Sequence, residues 1–145
     1  MSIGLEYITK IFGGSYTDVA NRLQITPQTV SDWIRGKRKI SSSKIDELAT
    51  LFKLDKHLFQ KELTEVEKIE IELDYLNRLS KRDAMLVPEG NDTYNPHSDV
   101  IESKLRELEN NKLLLRVKRL LYSNSSNTFN SIDDLITSIE KNESI

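Results

Sequence analysis

The chain has 145 residues, which is enough for one domain or for a small domain with an appendage. It contains no Cys, so disulfides, thiol catalysis and thiolate metal sites are excluded from the expected chemistry. The first residues lack the charged start and long apolar core of a signal peptide, and no apolar run reaches the length of a membrane span. We therefore expect a cytoplasmic protein without a membrane segment, and predict no cofactor and no metal site.

The net charge of −2 conceals an asymmetry between the two parts of the chain. Residues 1–61 contain 10 Lys and Arg against 6 Asp and Glu, a balance of +4. Residues 62–145 contain 11 against 17, a balance of −6. A basic front and an acidic back are typical of a protein that presents one end to a polyanion such as nucleic acid.

The first predicted element is an amphipathic helix at the start of the chain. Its apolar residues recur at spacings near three and four, and they are Ile3, Leu5, Ile8, Ile11 and Phe12. Gly13 and Gly14 then end the helix. We expect this helix to pack beneath the elements that follow.

The next stretch, from Tyr16 to Lys39, predicts two short helices joined by a tight turn. Ser15 can cap the first helix, with Asp18 as its capping-box partner. The turn falls around Gln24 to Thr26, and Thr26 can cap a second helix whose first residue is Pro27. The inward faces of the two helices are predicted to be apolar and to consist of Val19, Ala20, Leu23, Val30, Trp33 and Ile34. Gly36 is expected to end the second helix.

The outward face of the second helix, predicted over residues 27–35, is polar. Its candidates for contact with base edges are Gln28, Thr29, Ser31, Asp32 and Arg35. Gln can bond adenine with two hydrogen bonds, Thr can contact a thymine methyl, and Asp can accept from cytosine N4. The basic residues that follow, Lys37, Arg38 and Lys39, suit phosphate oxygens, which position a helix without reading sequence.

These features resemble the phage-repressor family of helix-turn-helix regulators (Cro and lambda-repressor-like, or XRE), over roughly residues 3–63. The match is carried by Ala20, Leu23, Ile25, Val30, Trp33 and the Gly36-Lys37 ending. The resemblance implies a five-helix lambda-repressor-like DNA-binding domain. In such a domain, residues at the start of the second helix of the helix-turn-helix contact the bases. It also implies a phosphate contact from Ser15, Tyr16 or Thr17. Gln24 departs from the Gly that the family often has at the turn.

Two further segments complete the predicted N-terminal domain, residues 1–63. Ser41, Ser42 and Ser43 offer alternative N-caps for a helix. The apolar residues of that helix are Ile45, Leu48, Ala49, Leu51 and Phe52. Asp55 can cap a last short segment with Leu58 and Phe59.

Residues 64–145 predict a helical dimerisation region with helices at about 64–87, 98–122 and 131–141. Thr64 and Glu67 form a capping box for the first, a turn-rich loop spans Pro88 to His97, and the polar stretch from Ser123 to Ser131 is expected to be loose. Two long helices of matched length predict a hairpin with a short coiled-coil seam. The expected dimerisation residues are Val66, Ile69, Leu73, Leu76, Leu105, Leu108 and Leu115.

Together these features predict an all-α protein that binds double-stranded DNA sequence-specifically as a transcriptional regulator. The expected form is a homodimeric repressor that contacts an inverted-repeat operator through the recognition helix 27–35. The alternative is an antitoxin or antirepressor-like factor whose C-terminal helices bind another protein, and a regulatory protein or peptide is a further candidate partner for that half. The hairpin could also simply fold back onto the N-terminal domain. An enzyme is not predicted, because no arranged nucleophile, acid–base pair or metal set stands out.

Overall fold

The structure, a computed structural model, describes residues 2–84, 95–123 and 126–143. All regular secondary structure in these ranges is helical, which confirms the predicted fold class. The elements are α1 (Gly4–Ile11), α2 (Tyr16–Arg22), α3 (Pro27–Ile34), α4 (Ser42–Phe52), a 3-10 turn (Lys56–Leu58), α5 (Glu65–Ala84), α6 (Ser98–Tyr122) and α7 (Ser126–Glu143). The chain divides into two compact units, Met1–Leu105 and Arg106–Ile145, and each is described by itself. Among the described helices, none is both long enough and apolar enough to cross a membrane.

The helix starts in the N-terminal unit follow from local capping chemistry. The Ser15 hydroxyl accepts from the Asp18 N–H, and the Asp18 carboxylate accepts from the Ser15 N–H at 2.9 Å, which confirms the predicted capping box. These bonds from Ser15 hold the pKa of Asp18 below its usual value. Thr26 and Ser41 each accept from the backbone N–H three residues on and so begin α3 and α4.

The core of the N-terminal unit surrounds α1. Leu5 and Ile8 are fully buried, and they join apolar residues from α2, α3, α4 and the 3-10 turn in one cluster. The backbone N–H groups of Gly4 and Leu5 donate to the carbonyl oxygens of Lys61 and Phe59, at 2.7 and 2.9 Å. A Cβ added at Gly4 would lie only 1.7 Å from the Leu58 carbonyl oxygen. The start of α1 therefore fits against the chain after the 3-10 turn only because residue 4 has no side chain.

Helix α5 packs into the same core. Ile71 belongs to the buried cluster, and the Tyr75 ring meets Phe12 edge-on at 5.2 Å between centroids. Packing therefore continues past residue 63, where we expected the DNA-binding domain to end. The end of the DNA-binding domain at residue 63 therefore stays a prediction.

Arg78 on α5 closes the C-terminal end of α4. Its guanidinium donates to the carbonyl oxygens of Phe52 at 2.7 Å and Lys53 at 2.9 Å, and it lies 5.1 Å from the Phe12 ring centroid. The last carbonyls of a helix have no intrahelical donor, so an arginine at this place satisfies two of them.

The start of α5 is fixed by the predicted capping box. The Glu67 carboxylate accepts from the Thr64 N–H at 3.0 Å, and the Thr64 hydroxyl accepts from the Glu67 N–H at 3.3 Å. Lys61 Nζ approaches the same carboxylate to 2.5 Å. Partial burial alone would raise the pKa of Glu67, but the bonds from Lys61 and Thr64 outweigh it and lower that pKa to about 2.

The first turns of α6 run antiparallel to α5. Lys104 Nζ lies 2.5 Å from a Glu72 oxygen, and His97 Nε2 lies 2.8 Å from an Asp83 oxygen. The Tyr7 hydroxyl of α1 donates to the same Glu72 carboxylate. Burial would raise the pKa of Glu72, but these two donors lower it below its usual value. The carboxylate thus links three helices of this unit.

The expected dimerisation residues do not share one environment. Ile69 and Leu73 are buried in the single chain, at 3 and 7 % exposure, so their surface is already covered and we leave them out of any dimer surface. The half-buried residues of the set are Val66, Leu76 and Leu108. Leu105 and Leu115 are exposed.

The last helix begins earlier than the sequence predicted. We expected a loose stretch through Ser131 and a helix over 131–141, whereas α7 spans Ser126–Glu143. No Gly or Pro interrupts residues 126–131, and the Ser131 hydroxyl donates to the Asn127 carbonyl at 2.8 Å from inside the helix instead of capping it. For the helix predicted over 64–87, which is α5, the predicted end at Val87 lies outside the described residues. Most of the predicted Pro88–His97 loop lies outside them as well.

Candidate nucleic-acid interface

Helices α2 and α3 form the predicted helix-turn-helix pair. Val30, Trp33 and Ile34 of α3 are all buried. They share the core with the buried residues of α2, which are Val19 and Ala20, and with Leu23 just after it. Burial of this inward face fixes which face of α3 is left for a ligand.

The turn between the two helices adopts a left-handed conformation at Gln24, with φ of 54°. Its N–H donates to the Asn21 carbonyl at 3.2 Å, and the Ile25 N–H donates to the Ala20 carbonyl at 2.9 Å. This pair of bonds is a Schellman motif. The turn that the family often builds with Gly therefore forms here with Gln.

Helix α3 ends in the same way at Gly36, whose φ is 70°. The Gly36 N–H donates to the Trp33 carbonyl at 3.0 Å, and the Lys37 N–H donates to the Asp32 carbonyl at 2.9 Å. The chain therefore turns sharply after α3, and the basic residues start directly at its C-terminal end.

The predicted base-reading residues all reach the surface of α3, to different extents. Gln28 and Arg35 are exposed, whereas Thr29, Ser31 and Asp32 are half-buried. Their shared face consists of short polar side chains near the N-terminal end and a long cation at the C-terminal end. A face of this chemistry can offer both donors and acceptors to base edges.

Polar contacts along this face order it in the free protein. Gln28 Nε2 donates to Asp32 Oδ1 at 2.9 Å, and Lys37 Nζ lies 4.0 Å from the same oxygen. The Thr26 and Thr29 hydroxyls are 2.9 Å apart. The bond to Asp32 uses one of the two Nε2 hydrogens of Gln28, so the second hydrogen and Oε1 remain available to another partner.

The basic residues Lys37, Arg38 and Lys39 are all exposed at the end of α3. The 4.0 Å approach of Lys37 to Asp32 is long for an ion pair and leaves the ammonium group accessible. Three exposed cations after a recognition helix are suited to phosphate oxygens.

The start of α2 carries the other predicted phosphate contacts. The Ser15 hydroxyl is engaged in the capping box, whereas Tyr16 and Thr17 are exposed. Burial of part of the ring raises the pKa of Tyr16, the Glu6 carboxylate adds to the shift, and the charge of Arg35 opposes it. The phenol therefore remains a hydrogen-bond donor at neutral pH, and it lies close enough to Arg35 to feel its charge.

One positioning residue was missed by sequence reasoning. Lys44 on α4 donates from Nζ to the Leu23 carbonyl at 2.8 Å and pairs with Glu47 at 2.8 Å. It ties α4 to the end of α2, next to the turn. A lysine in the first turn of a helix gives no sequence signal for such a long-range bond.

Comparison with known proteins agrees with this geometry. The family model described as helix-turn-helix matches residues 8–59, which is a little over a third of the chain and includes α2, the turn and α3. No curated protein and no solved structure matches the chain. Residues 8–59 therefore form a helix-turn-helix domain of the phage-repressor (XRE) type, a family of DNA-binding regulators.

Proposed function

We propose that this protein is a sequence-specific, double-stranded DNA-binding transcriptional regulator that acts as a dimeric repressor on an inverted-repeat operator. The observation that carries the proposal is the exposed polar face of α3 beside the cations at residues 37–39, on a helix whose opposite face is buried. A helix of this kind can enter the major groove while the cations contact the phosphates along one side of it.

Within this proposal the residues have separate roles. Gln28, Thr29 and Asp32 read base edges from the first turns of α3, and Ser31 and Arg35 extend the contact. Lys37, Arg38 and Lys39 hold one phosphate strand, while Ser15, Tyr16 and Thr17 at the start of α2 approach the other.

A dimer follows from the small size of the reading element. Helix α3 has 8 residues, so it reaches only a few base pairs. Two copies on a two-fold operator double the contacts, and the second binding event becomes intramolecular. A tightly bound dimer over a promoter would exclude polymerase, and we propose that the protein represses transcription in this way.

The test is selection from random duplex DNA with the full chain at about 0.15 M salt, where non-specific binding is weak. We expect enrichment of an inverted repeat whose half-site centres lie about 10–10.5 base pairs apart, or a multiple of that spacing. Failure to enrich any sequence would contradict the proposal.

The role of Gln28 can be tested on the selected operator. Gln28→Ala is expected to relax preference at one position of each half-site and to cost about 1–3 kcal/mol there, since one bidentate contact is lost. Gln60→Ala, outside α3, is the matched control and is expected to leave the preference unchanged. If Gln28→Ala instead weakened binding equally to all DNA sequences, this result would contradict base reading by Gln28.

A second candidate function is supported by the C-terminal unit. Its helices expose large apolar side chains, as described below, and such surfaces mark sites of protein contact. An antitoxin or antirepressor-like factor would bind a different protein there. A stable complex with a foreign protein, together with no enriched DNA, would favour this function.

A further inference from the structure

The C-terminal unit consists of helices that do not bury their apolar residues. No described residue between 106 and 143 is buried. The large exposed side chains on the second half of α6 are Leu113, Leu114, Leu115, Leu120, Leu121 and Tyr122, between 42 and 83 % exposed. Those on α7 are Phe129, Leu135, Ile136 and Ile139, between 48 and 60 % exposed. We call these two segments, residues 106–122 and Ser126–Glu143, the C-terminal helix pair.

Spacing shows that the exposed residues form stripes. On α7 the apolar residues are Phe129, Ile132, Leu135, Ile136 and Ile139, which recur at intervals of three and four. On α6, Leu113, Val117, Leu120 and Leu121 do the same and Leu114 widens the stripe, whereas Leu115 and Tyr122 lie on the opposite side of the helix. A stripe of this width is typical of a helix that packs against another helix.

Such helices require a cover. Most helical stability in proteins comes from packing of an apolar face and not from intrinsic propensity. The eight exposed apolar side chains on the two stripes, at roughly 50–100 Å² each, present roughly 400–800 Å² per chain. The upper end of this range reaches the roughly 800 Å² per partner buried in a stable protein interface.

Charge indicates what the cover is. Residues 106–122 contain five Lys and Arg against two Glu, a balance of +3. Helix α7 contains four Asp and Glu against one Lys, a balance of −3. Each helix therefore has the charge that complements the other, and a partner for the pair must be basic in one place and acidic in another. A second copy of this chain meets that requirement without any further assumption.

We propose that a second copy of the chain covers the C-terminal helix pair, with residues 106–122 of each copy packed against α7 of the other. This arrangement is two-fold symmetric, joins four helices and leaves α5 outside the interface. It rests on the proposed dimeric function and names the surface that forms the dimer. Both apolar stripes are buried in it, and both charge balances are neutralised.

Charge reversal of one helix at a time tests this pairing in the full chain. Arg116→Glu with Arg119→Glu makes residues 106–122 acidic, and Asp133→Lys with Glu140→Lys makes α7 basic. Each double variant alone faces like charge in the proposed dimer, so we expect its dimer dissociation constant to rise at least about 30-fold at low salt. Sedimentation at a series of concentrations measures that constant.

Mixing the two double variants is the decisive step. In the proposed pairing an acidic helix of one variant meets a basic helix of the other at both contacts, so an equimolar mixture is expected to form a one-to-one dimer. A pairing of α6 with α6 would instead leave the α7 variant dimeric on its own, and a pairing of α7 with α7 would leave the α6 variant dimeric on its own. Loss of the dimer without rescue overturns the proposal, and so do variants that stay dimeric or a wild-type chain that is monomeric at about 100 µM.

Two controls test whether a loss of the dimer comes from the helix contact and not from unfolding or from added charge alone. Trp33 is the only tryptophan and is buried in the N-terminal unit, so its fluorescence reports whether that unit is folded in each variant. Ile136→Asp places a charge in the α7 stripe and is expected to abolish the dimer, whereas Thr137→Asp places it on the opposite face and is expected to preserve it. Equal effects of the two substitutions overturn the proposal.

The outcome is separable from the DNA-binding proposal. A monomeric chain that still enriches a single half-site removes the dimer surface and leaves the reading function intact. A dimer of the predicted pairing that enriches no DNA supports the surface and removes the reading function.

Discussion

The N-terminal and C-terminal units are both helical, yet they use their apolar residues in opposite ways. Among the residues that the structure describes, the seventeen buried apolar ones all fall between Leu5 and Leu73, whereas none from 106 to 143 is buried. The first unit can fold on its own contacts and present a reading helix. The second unit, in our proposal, gains its stability from contact with a second copy of the chain. A substitution that lowers the free energy of unfolding of one unit is therefore expected to leave that of the other unit nearly unchanged.

The largest expected effect is at the contact between α1 and the 3-10 turn. Gly4→Ala places a Cβ 1.7 Å from the Leu58 carbonyl oxygen, and backbone must move to relieve the clash. We expect a loss of about 3 kcal/mol or more in the free energy of unfolding, measured by urea titration with Trp33 fluorescence. At Gly14→Ala the nearest atom is a Thr9 methyl at an ordinary 3.6 Å, so this control is expected to stay within about 0.5 kcal/mol.

The contrast between units can be tested with one type of substitution. Leu48 is fully buried, and Leu48→Ala is expected to cost about 2–5 kcal/mol because it leaves a cavity. Leu135 is 60 % exposed, and Leu135→Ala is expected to leave the same Trp33 transition unchanged within about 0.5 kcal/mol. A large loss at Leu135 in dilute protein would show that the two units unfold together.

A substitution at Arg78 tests whether α5 unfolds together with the rest of the N-terminal unit. Arg78→Ala removes the two bonds to the Phe52 and Lys53 carbonyls and the contact with Phe12. We expect a loss of about 1–3 kcal/mol in the unfolding free energy, since hydrogen bonds from charged donors are among the stronger ones. Arg82→Ala, one turn later and exposed, is the control and is expected to be nearly neutral. Equal values would place α5 outside the cooperative unit.

A smaller effect is expected from acid at the start of α5. The pKa of Glu67 is lowered from 4.5 to about 2, so its ionised form stabilises the folded chain above pH 4.5, and this contribution is lost as the pH falls toward 2. With partial solvent screening we expect about 1–2 kcal/mol at neutral pH. The measurement is the unfolding free energy of Glu67→Gln and of wild type between pH 2 and 7, with exposed Glu62→Gln as control. A difference that stays constant across that range would contradict the assigned bonds.

Much of the N-terminal unit could be predicted from its sequence because the signals are local. Caps at Ser15, Thr26 and Ser41, the Pro at residue 27 and the Gly at residue 36 each act within a few residues of themselves. The polar outward face of α3 could be predicted once its apolar inward face had been assigned. The bonds from Lys44 and Arg78 could not be predicted, because each joins residues more than 20 positions apart.

The C-terminal half was harder to predict, and for a physical reason. A leucine stripe shows that a face needs cover, but not which surface covers it. Ile69 and Leu73 find cover within the chain, whereas Leu105 and Leu115 do not. The early start of α7 shows the same limit in the backbone, since polar residues such as Asn127 and Ser131 suit a loop as well as an exposed helical turn.

The bond between Gln28 and Asp32 has a consequence for recognition. An unrestrained glutamine loses about 1–2 kcal/mol of rotamer entropy when it is fixed on a base, but here part of that loss has already occurred during folding. In the proposed complex Gln28 can keep its bond to Asp32, because its second Nε2 hydrogen and its Oε1 are enough to meet a base that offers a matched acceptor and donor. Asp32 in that complex orients the Gln28 amide in advance and so favours bases that match this orientation.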